Sequence, residues 1–446
     1  MEAERIRELG PRLAAFLALF DDCFPRRDVR SHLAVYVGGQ LSELPRKSVE
    51  PIALAANQPV RTLQEFLSQA DWDEDRMRTR VAEIVMREHA GPESIGLIDE
   101  TGWVKKGMRT PGVQRQYCGA VGKQENCIIT VHLGYAAGDF HGLLDGDLYL
   151  PESWHADRER CRDAGIPDEV TYRSKSDIAL ELFDRARSHG VEFEWLTFDE
   201  WYGGKPGFLR SLDERGQKYV AEVPRTIRAW LGQPRVTHRA YRKNGRGRPK
   251  KSPRLVAGSP RAKPLDKLCE QHPELAAQPW QSYHIKDTEK GPLVWHVKHA
   301  LVSVKDEHGL PSPLRHLLRG THPLTGEVKY FISNAPPETP VTKLLHVAFS
   351  RWRVERCFED QKGRIGLDHW EGRRWTGLKR HLVLSTVSYL FLAQALAELG
   401  KKIPGADDLP IANGDERGGA RREPHASLGR APVRGHGQLA AISPAA

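Results

Sequence analysis

The chain has 446 residues, enough for roughly three domains of ordinary size, and its 67 Lys and Arg against 58 Asp and Glu leave a formal charge of +9. Hydrophobic residues at 39% with 11 Trp and 13 Phe can build large cores, while 40 Gly and 30 Pro fall short of a low-complexity or collagen-like composition. So modest an excess of positive charge over such a length excludes a uniformly basic protein, and its meaning depends on where it sits.

Taken in chain order, residues 1–90 read as a helical domain. Ile6 to Phe20, Val29 to Leu41, Leu63 to Ala70 and Glu74 to Glu88 carry apolar residues at three- and four-residue spacing. The break Ala56-Asn57-Gln58-Pro59, between Val49 to Ala55 and Thr62 to Leu67, has the length of a helix-turn-helix corner with Thr62 as N-cap. Such spacing marks an ordinary bundle corner more often than a DNA-reading pair. Residues 91–224 change to an α/β grammar. Ile95 to Asp99, Gln116 to Val121, Cys127 to Tyr135 and Phe140 to Leu150 are strand-like and separated by short turns. Asp177 to Ser188 (helix), Phe193 to Phe198 (strand), Phe208 to Asp213 (helix) and Lys218 to Val223 (strand) then imply parallel strands with crossover helices. The expected fold class is α/β with a mixed sheet, antiparallel first and parallel later.

Residues 225–338 read as a strand-rich insertion, with strands expected at Ser282 to Ile285, Leu293 to Val304 and Val328 to Ile332. Its first part, residues 225–264, holds 13 Lys and Arg and no acid. Residues 339–402 supply closing helices, with one long helix over Pro340 to Gly363 and a packed one over His381 to Leu399. Residues 403–446 have no aromatic residue and abundant Gly, Pro and Arg, the composition of a disordered tail. The opening Met1-Glu2-Ala3-Glu4-Arg5 lacks the basic-then-apolar order of a secretory leader. The apolar stretch Leu382 to Ala397 is interrupted by Ser385, Thr386, Ser388 and Gln394, and a membrane span needs about 20 apolar residues. Six scattered Cys form no C-x-x-C pair. An intracellular, cytoplasmic protein without a membrane partner is expected.

Asp99 and Asp199 each follow an apolar run and are expected at strand ends, where α/β sheets place ligands. In the long helix, Arg351, Glu355 and Lys362 share one face at about 100° per residue. Leu344, Leu345, Val347, Trp352, Val354 and Phe358 around them call for a packed helix, in which an ionised Glu needs a partner or a metal. Glu100 and Glu200 follow the two Asp, and on an extended strand neighbours face opposite ways, so only one of each pair can reach a common site.

Arg351-x3-Glu355-x6-Lys362 resembles the Y-x2-R-x3-E-x6-K signature of DDE-type cut-and-paste transposases of bacterial insertion sequences, with Ala348 in place of the Tyr. Leu97 to Gly102, Arg115 to Gly119, Leu148 to Trp154, Asp199 to Gly203 and Gly366 to His369 resemble the insertion-sequence seven-oh-one group of that family, over about residues 10 to 398. The resemblance implies a ribonuclease-H-like catalytic core, formed by residues 91–224 and 339–402, behind an N-terminal DNA-binding domain. It also implies a catalytic and metal-binding triad of Asp99, Asp199 and Glu355. Three carboxylates suit two Mg²⁺ ions, with Mn²⁺ as a substitute, about 3.5–4 Å apart on one phosphate. Arg351 and Lys362 suit phosphate contacts.

Within the insertion, Arg246, Arg248, Lys250 and Lys251 form an AT-hook-like string able to reach a minor groove or phosphates. Trp230, Trp280 and Trp295 are candidates for core packing or for stacking on a flipped base. The expected function is a DNA transposase that binds double-stranded DNA at its element ends and target, acts as a homodimer on DNA, and cleaves and joins strands. A two-metal nuclease of the same fold and a catalytically idle DNA-binding relative are the alternatives.

Overall fold

The computed structural model describes residues 2–241, 251–288 and 291–400. Arg246, Arg248 and Lys250, and the tail expected to be disordered, lie outside these residues. Five helices come first: α1 (Glu2–Ala18), α2 (Arg27–Leu41), α3 (Val49–Ala55), α4 (Val60–Ser68) and α5 (Glu74–His89). At the α3–α4 corner Asn57 takes a left-handed φ of 51°, which its short polar side chain tolerates. The helix start differs from expectation: Pro59 is the N-cap of α4 and Thr62 lies inside the helix. The fixed φ of Pro59 already turns the chain there, so no side-chain cap is required.

Four strands follow, β1 (Ile95–Val104), β2 (Gln114–Cys118), β3 (Lys123–Ala137) and β4 (Phe140–Tyr149). Then come α6 (Glu152–Ala156), α7 (Arg158–Asp163), α8 (Lys175–Ser188), β5 (Trp195–Phe198), α9 (Glu200–Gly203), α10 (Pro206–Glu214) and β6 (Tyr219–Glu222). A capping box starts α8: the Ser174 hydroxyl accepts from the Asp177 amide and the Asp177 carboxylate from the Ser174 amide. β1 is antiparallel to β3, β3 to β2 and β4, whereas β1–β5 and β5–β6 are parallel. This is the expected mixed α/β sheet, antiparallel first and parallel later.

The 225–338 segment contributes β7 (Arg228–Leu231), β8 (Val236–Thr237), β9 (Arg254–Leu255), β10 (Lys263–Pro264), α11 (Leu265–Gln271), α12 (Pro273–Ala277), β11 (Gln281–Thr288), β12 (Gly291–Lys305), β13 (Pro311–Thr321) and β14 (Val328–Ser333). β14 pairs with β6, so all of these strands except the small β8–β9 ribbon extend the same sheet, to twelve strands.

The single helix expected over Pro340 to Gly363 is instead α13 (Val341–Phe349) and α14 (Trp352–Asp360), followed by a π-helical turn, Gln361–Ile365. The cause is local. The Ser350 hydroxyl donates to the His346 carbonyl at 2.7 Å, a back-bond that bends helices. The next amides, Arg353 and Val354, reach back only three residues. The last helix is α15 (Trp375–Gly400). By length and composition Trp375–Glu398 could cross a membrane, but 67% of its most apolar window is buried. Its polar groups are met from α2: Gln40 donates to the Ser385 hydroxyl (2.8 Å) and accepts from Ser388 (2.7 Å), and Tyr36 meets His381 (2.8 Å). It is a core helix.

Alternation along β1 separates the two sheet faces. Ile95 and Leu97 pack with α13 and α14 residues such as Leu344, Val347, Val354 and Phe358, whereas Ile98 packs with α8 residues such as Ile178 and Leu182. β4 carries two buried acids. Asp145 is met by Arg78 of α5 (3.2 Å) and Arg185 of α8 (2.7 Å), and Asp147, 3% exposed, by Arg173 (3.2 Å) and Lys379 of α15. Burial pushes the Asp147 carboxyl up, but Lys379 and Arg173 outweigh it and hold it below the usual carboxylate range. A carboxyl lowered in this way stabilises the fold above its ordinary pKa of 3.8, and the contribution is lost as pH falls below that value. Asp147→Asn, which strands two cations, is therefore expected to cost about 3–5 kcal/mol near neutral pH. In thermal melts the gap to the wild type should narrow as pH falls toward 3.

Candidate active site

Two parallel strands set the site. The β1–β5 register runs from Ile95 opposite Trp195 to Ile98 opposite Phe198, so the next residues, Asp99 and Asp199, leave the pairing side by side. Asp99 is not at the end of its strand, as expected from the apolar run, because β3 continues to pair with β1 as far as Val104. Asp199 does end β5 and N-caps α9, accepting from the amides of Trp201 (3.0 Å) and Tyr202 (3.3 Å). The chain is tight here: a Cβ on Gly203 would come within 2.0 Å of the Glu222 carbonyl, so only glycine lets α9 lie against β6.

Asp99 faces α14. Its Oδ2 accepts from Arg351 Nη1 at 3.0 Å, and the other Arg351 nitrogen reaches Glu355 Oε1 at 2.6 Å. The guanidinium thus joins Asp99 to Glu355, while Asp199 acts on both Asp99 and Arg351 through space. The break after α13 places Arg351 at the mouth of α14. Glu100 faces the other way, where it pairs with Lys175 of α8 and accepts from the Tyr202 hydroxyl. The strand alternation expected for the Asp99-Glu100 pair is what the contacts show.

Burial and the neighbouring Asp199 push the Asp99 carboxyl up to about 7, against the opposing pull of Arg351. Buried Asp99, with half-buried Asp199 beside it and Arg351 as its hydrogen-bonded cation, is short of positive charge. The donors are all hard oxygens of the kind Mg²⁺ takes, so the residues fit a divalent ion. Glu355, 55% exposed at its side chain, is held by Arg351, and among the described residues no three acidic, His or Cys side chains already stand together as a cation cluster.

The remaining expected residues are dispersed. Lys362, on the π-helical turn, donates to the Gly102 carbonyl of β1 at 3.0 Å, and burial lowers its pKa. Glu359, one turn after Glu355 and off the signature spacing, is not among them; it is solvent-exposed beside Arg356. Lys251 is exposed at the edge of the described insertion. Trp230 and Trp295 are buried, whereas Trp280 is exposed with Lys298 and Arg319 near its ring. Sequence reasoning did not single out Lys175, Lys205, Trp201 or Tyr202 around the acid pair. The run Asp199-Glu200-Trp201-Tyr202-Gly203 was the available signal.

A family model described as DDE superfamily endonuclease matches residues 19–292. A probable transposase for insertion sequence element IS701 from Microchaete diplosiphon is 35% identical over 211 residues, 46% of this chain and 51% of that protein. The chain thus matches about half the length of that relative. A solved piggyBac transposase synaptic complex with hairpin DNA is similar at 12% identity and a TM-score of 0.36, covering 82% of this chain and 66% of its own.

A carboxyl whose pKa is raised on folding favours the folded state at low pH, and that contribution is lost as pH rises through about 7. Without metal, Asp99→Asn should therefore melt higher than the wild type at pH 8, with the difference vanishing near pH 4. Added Mg²⁺ should raise the wild-type melting temperature at pH 8 and leave the variant unmoved.

Proposed function

The chain belongs to the DDE superfamily endonuclease family, and from that membership we propose that it is a DNA transposase that binds terminal repeats and catalyses Mg²⁺-dependent strand cleavage and strand transfer. The observation that carries the reading is the parallel β1–β5 register, which sets Asp99 beside Asp199, with Arg351 linking Asp99 to Glu355. Asp99, Asp199 and Glu355 would hold two Mg²⁺ ions, or Mn²⁺ in their place. Bound there, such ions sharpen an attacking water or 3′-hydroxyl and steady the leaving oxygen of an in-line displacement.

The chain's own groups do the rest. The amides of Trp201 and Tyr202 fix the Asp199 carboxylate, and the Glu100 amide donates to Asp99 Oδ1 at 2.7 Å, so both acids are oriented before any ligand arrives. Arg351 offsets part of the charge of Asp99 and Glu355, and its planar fork suits a phosphate. Lys362 is a point charge held against β1. In the same reading Arg246, Arg248, Lys250 and Lys251 contact phosphates or a minor groove, residues 1–90 contribute to DNA binding, and two copies assemble on the element ends. Intact acids speak against a catalytically idle relative.

The test is incubation of the purified chain with Mg²⁺ and duplexes carrying its own flanking ends, resolving nicked, double-cut and joined products. Joined products are expected, and nicking without joining would mean a nuclease of the same family. Asp99→Asn, Asp199→Asn and Glu355→Gln should each abolish cleavage with end binding within about twofold, because they remove metal-binding charge but little volume. Glu200→Gln and Glu359→Gln should remain active; a dead Glu359→Gln beside an active Glu355→Gln would overturn the third acid.

Each phosphate contact adds about −0.9 to the logarithmic salt slope of duplex binding. Replacing Arg246, Arg248, Lys250 and Lys251 with Ala should flatten the slope measured by fluorescence anisotropy, by up to about 3.6 if all four touch phosphate.

A further inference from the structure

We infer that Lys286 and Arg353, arranged around Trp352, form a second phosphate site that holds the DNA backbone away from the acid pair; the inference rests on the transposase reading and adds a contact to it. Arg351 and Arg353 are two positions apart at α14, about 200° around the helix, so their guanidinium groups leave on opposite sides. Around α14, Arg351 is bound by Asp99 and Glu355, Arg356 by Glu359 and Asp360, and Arg364 by Asp360. Arg353 is half-buried and makes no ion pair or side-chain hydrogen bond among the described residues. A cation partly withdrawn from water and left without a partner is unfavourable.

Lys286 of β11 is held in a different way. Its ammonium lies 3.7 Å from the Trp352 ring centroid, and the ring of His141, at the start of β4, stands 6.0 Å from the same indole. An aromatic ring fixes an ammonium through its quadrupole but carries no net charge, so the charge of Lys286 stays unneutralised. The neighbouring acids do not supply it: Asp287 pairs with His284, and Asp139 acts on Arg353 through space without an ion pair. Burial pushes Lys286, Arg353 and His141 below their ordinary pKa values, and Arg353 lowers Lys286 and His141 further. An anion between the two cations relieves both, and a guanidinium fork beside an ammonium point charge suits a phosphate. The sheet register gives the place. His141 pairs with Ala136 of β3, and Ala136 with Ile95, four residues before Asp99. At about 3.3 Å per residue that is about 13 Å along the strands, the rise of about four base steps, so a duplex served at the acid pair can reach both cations.

The test measures the salt dependence of duplex binding by anisotropy, on the full chain and without divalent metal. The double variant Lys286→Gln, Arg353→Gln should flatten the logarithmic slope by about 0.9, so that its affinity deficit shrinks about 3.5-fold between about 50 and 200 mM salt. Lys286→Arg with Arg353→Lys keeps both charges and should keep the wild-type slope. Arg215→Gln with Lys267→Gln removes the same charge from cations already paired with Asp184 and Glu270, and should also leave the slope unchanged. Lys286→Gln alone, on the edge strand β11, leaves α14 untouched and should shift the slope in the same direction as the double variant. A wild-type slope in both Gln variants would overturn the site. So would a rise in melting temperature with inorganic phosphate that the double variant lacks, beside an unchanged slope, since the cluster would then hold free phosphate. A flattened slope in a protein whose wild type cuts and joins no element ends would sustain the site and sink the transposase reading.

Discussion

The parallel pairing of β1 with β5 is the constraint on which the site depends. It ends at Ile98 and Phe198, and the two aspartates that follow have no freedom to separate without breaking that register. Asp99 is buried and Asp199 half-buried beside it, and burial together with the Asp199 charge raises the Asp99 carboxyl to about 7. Arg351 is the structure's answer. It reaches Asp99 and Glu355 together because the helix is bent at Ser350, so that the guanidinium meets β1 at the start of α14.

That register survives because the sheet is gripped from both faces. α13 and α14 cover the face that carries Ile95 and Leu97, and α8 the face that carries Ile98. Further along, Asp145 and Asp147 on β4 collect cations from α5, α8 and α15, so three helices from distant parts of the chain share one buried ionic anchor. Such a network adds little net stability over an apolar core, but removing one member is costly. It ties the helical N-terminal residues to the same sheet that carries the acids. The strands of the 225–338 segment join that sheet through β14 and β6, so the insertion is mechanically continuous with the strand next to β5.

The surroundings of the acid pair are asymmetric in a chemically useful way. On the α14 side stands Arg351, a planar fork suited to a phosphate. On the α8 side Lys175 pairs with Glu100 and lies over the Trp201 ring, 5.0 Å from its centroid. The division follows from the two-residue period of β1, which points Asp99 to one side and Glu100 to the other.

The sequence by itself determined most of the elements and, through the signature it resembles, pointed to Asp99, Asp199 and Glu355. Apolar periodicity located the helices up to Glu88, the strands of the mixed sheet and the order antiparallel then parallel, because burial on one face leaves a period in the residues. The spacing Arg351, Glu355, Lys362 and the runs ending in Asp99 and Asp199 were legible for the same reason. The strand β7 was not, since four residues are too few to show a period, and β13 was not, since Pro, Gly and charged residues dilute its alternation. Nor was the division of the Pro340 to Gly363 helix, which depends on one serine hydroxyl turning back to a carbonyl. Only the tertiary structure decided that Arg351 bridges two of the acids, that Lys362 turns to Gly102, and that Trp201 stands exposed between two lysines. The contacts of Arg351 with Asp99 and of Lys362 with Gly102 span 252 and 260 positions, and a local pattern carries no record of which distant group will meet a side chain once the sheet has closed.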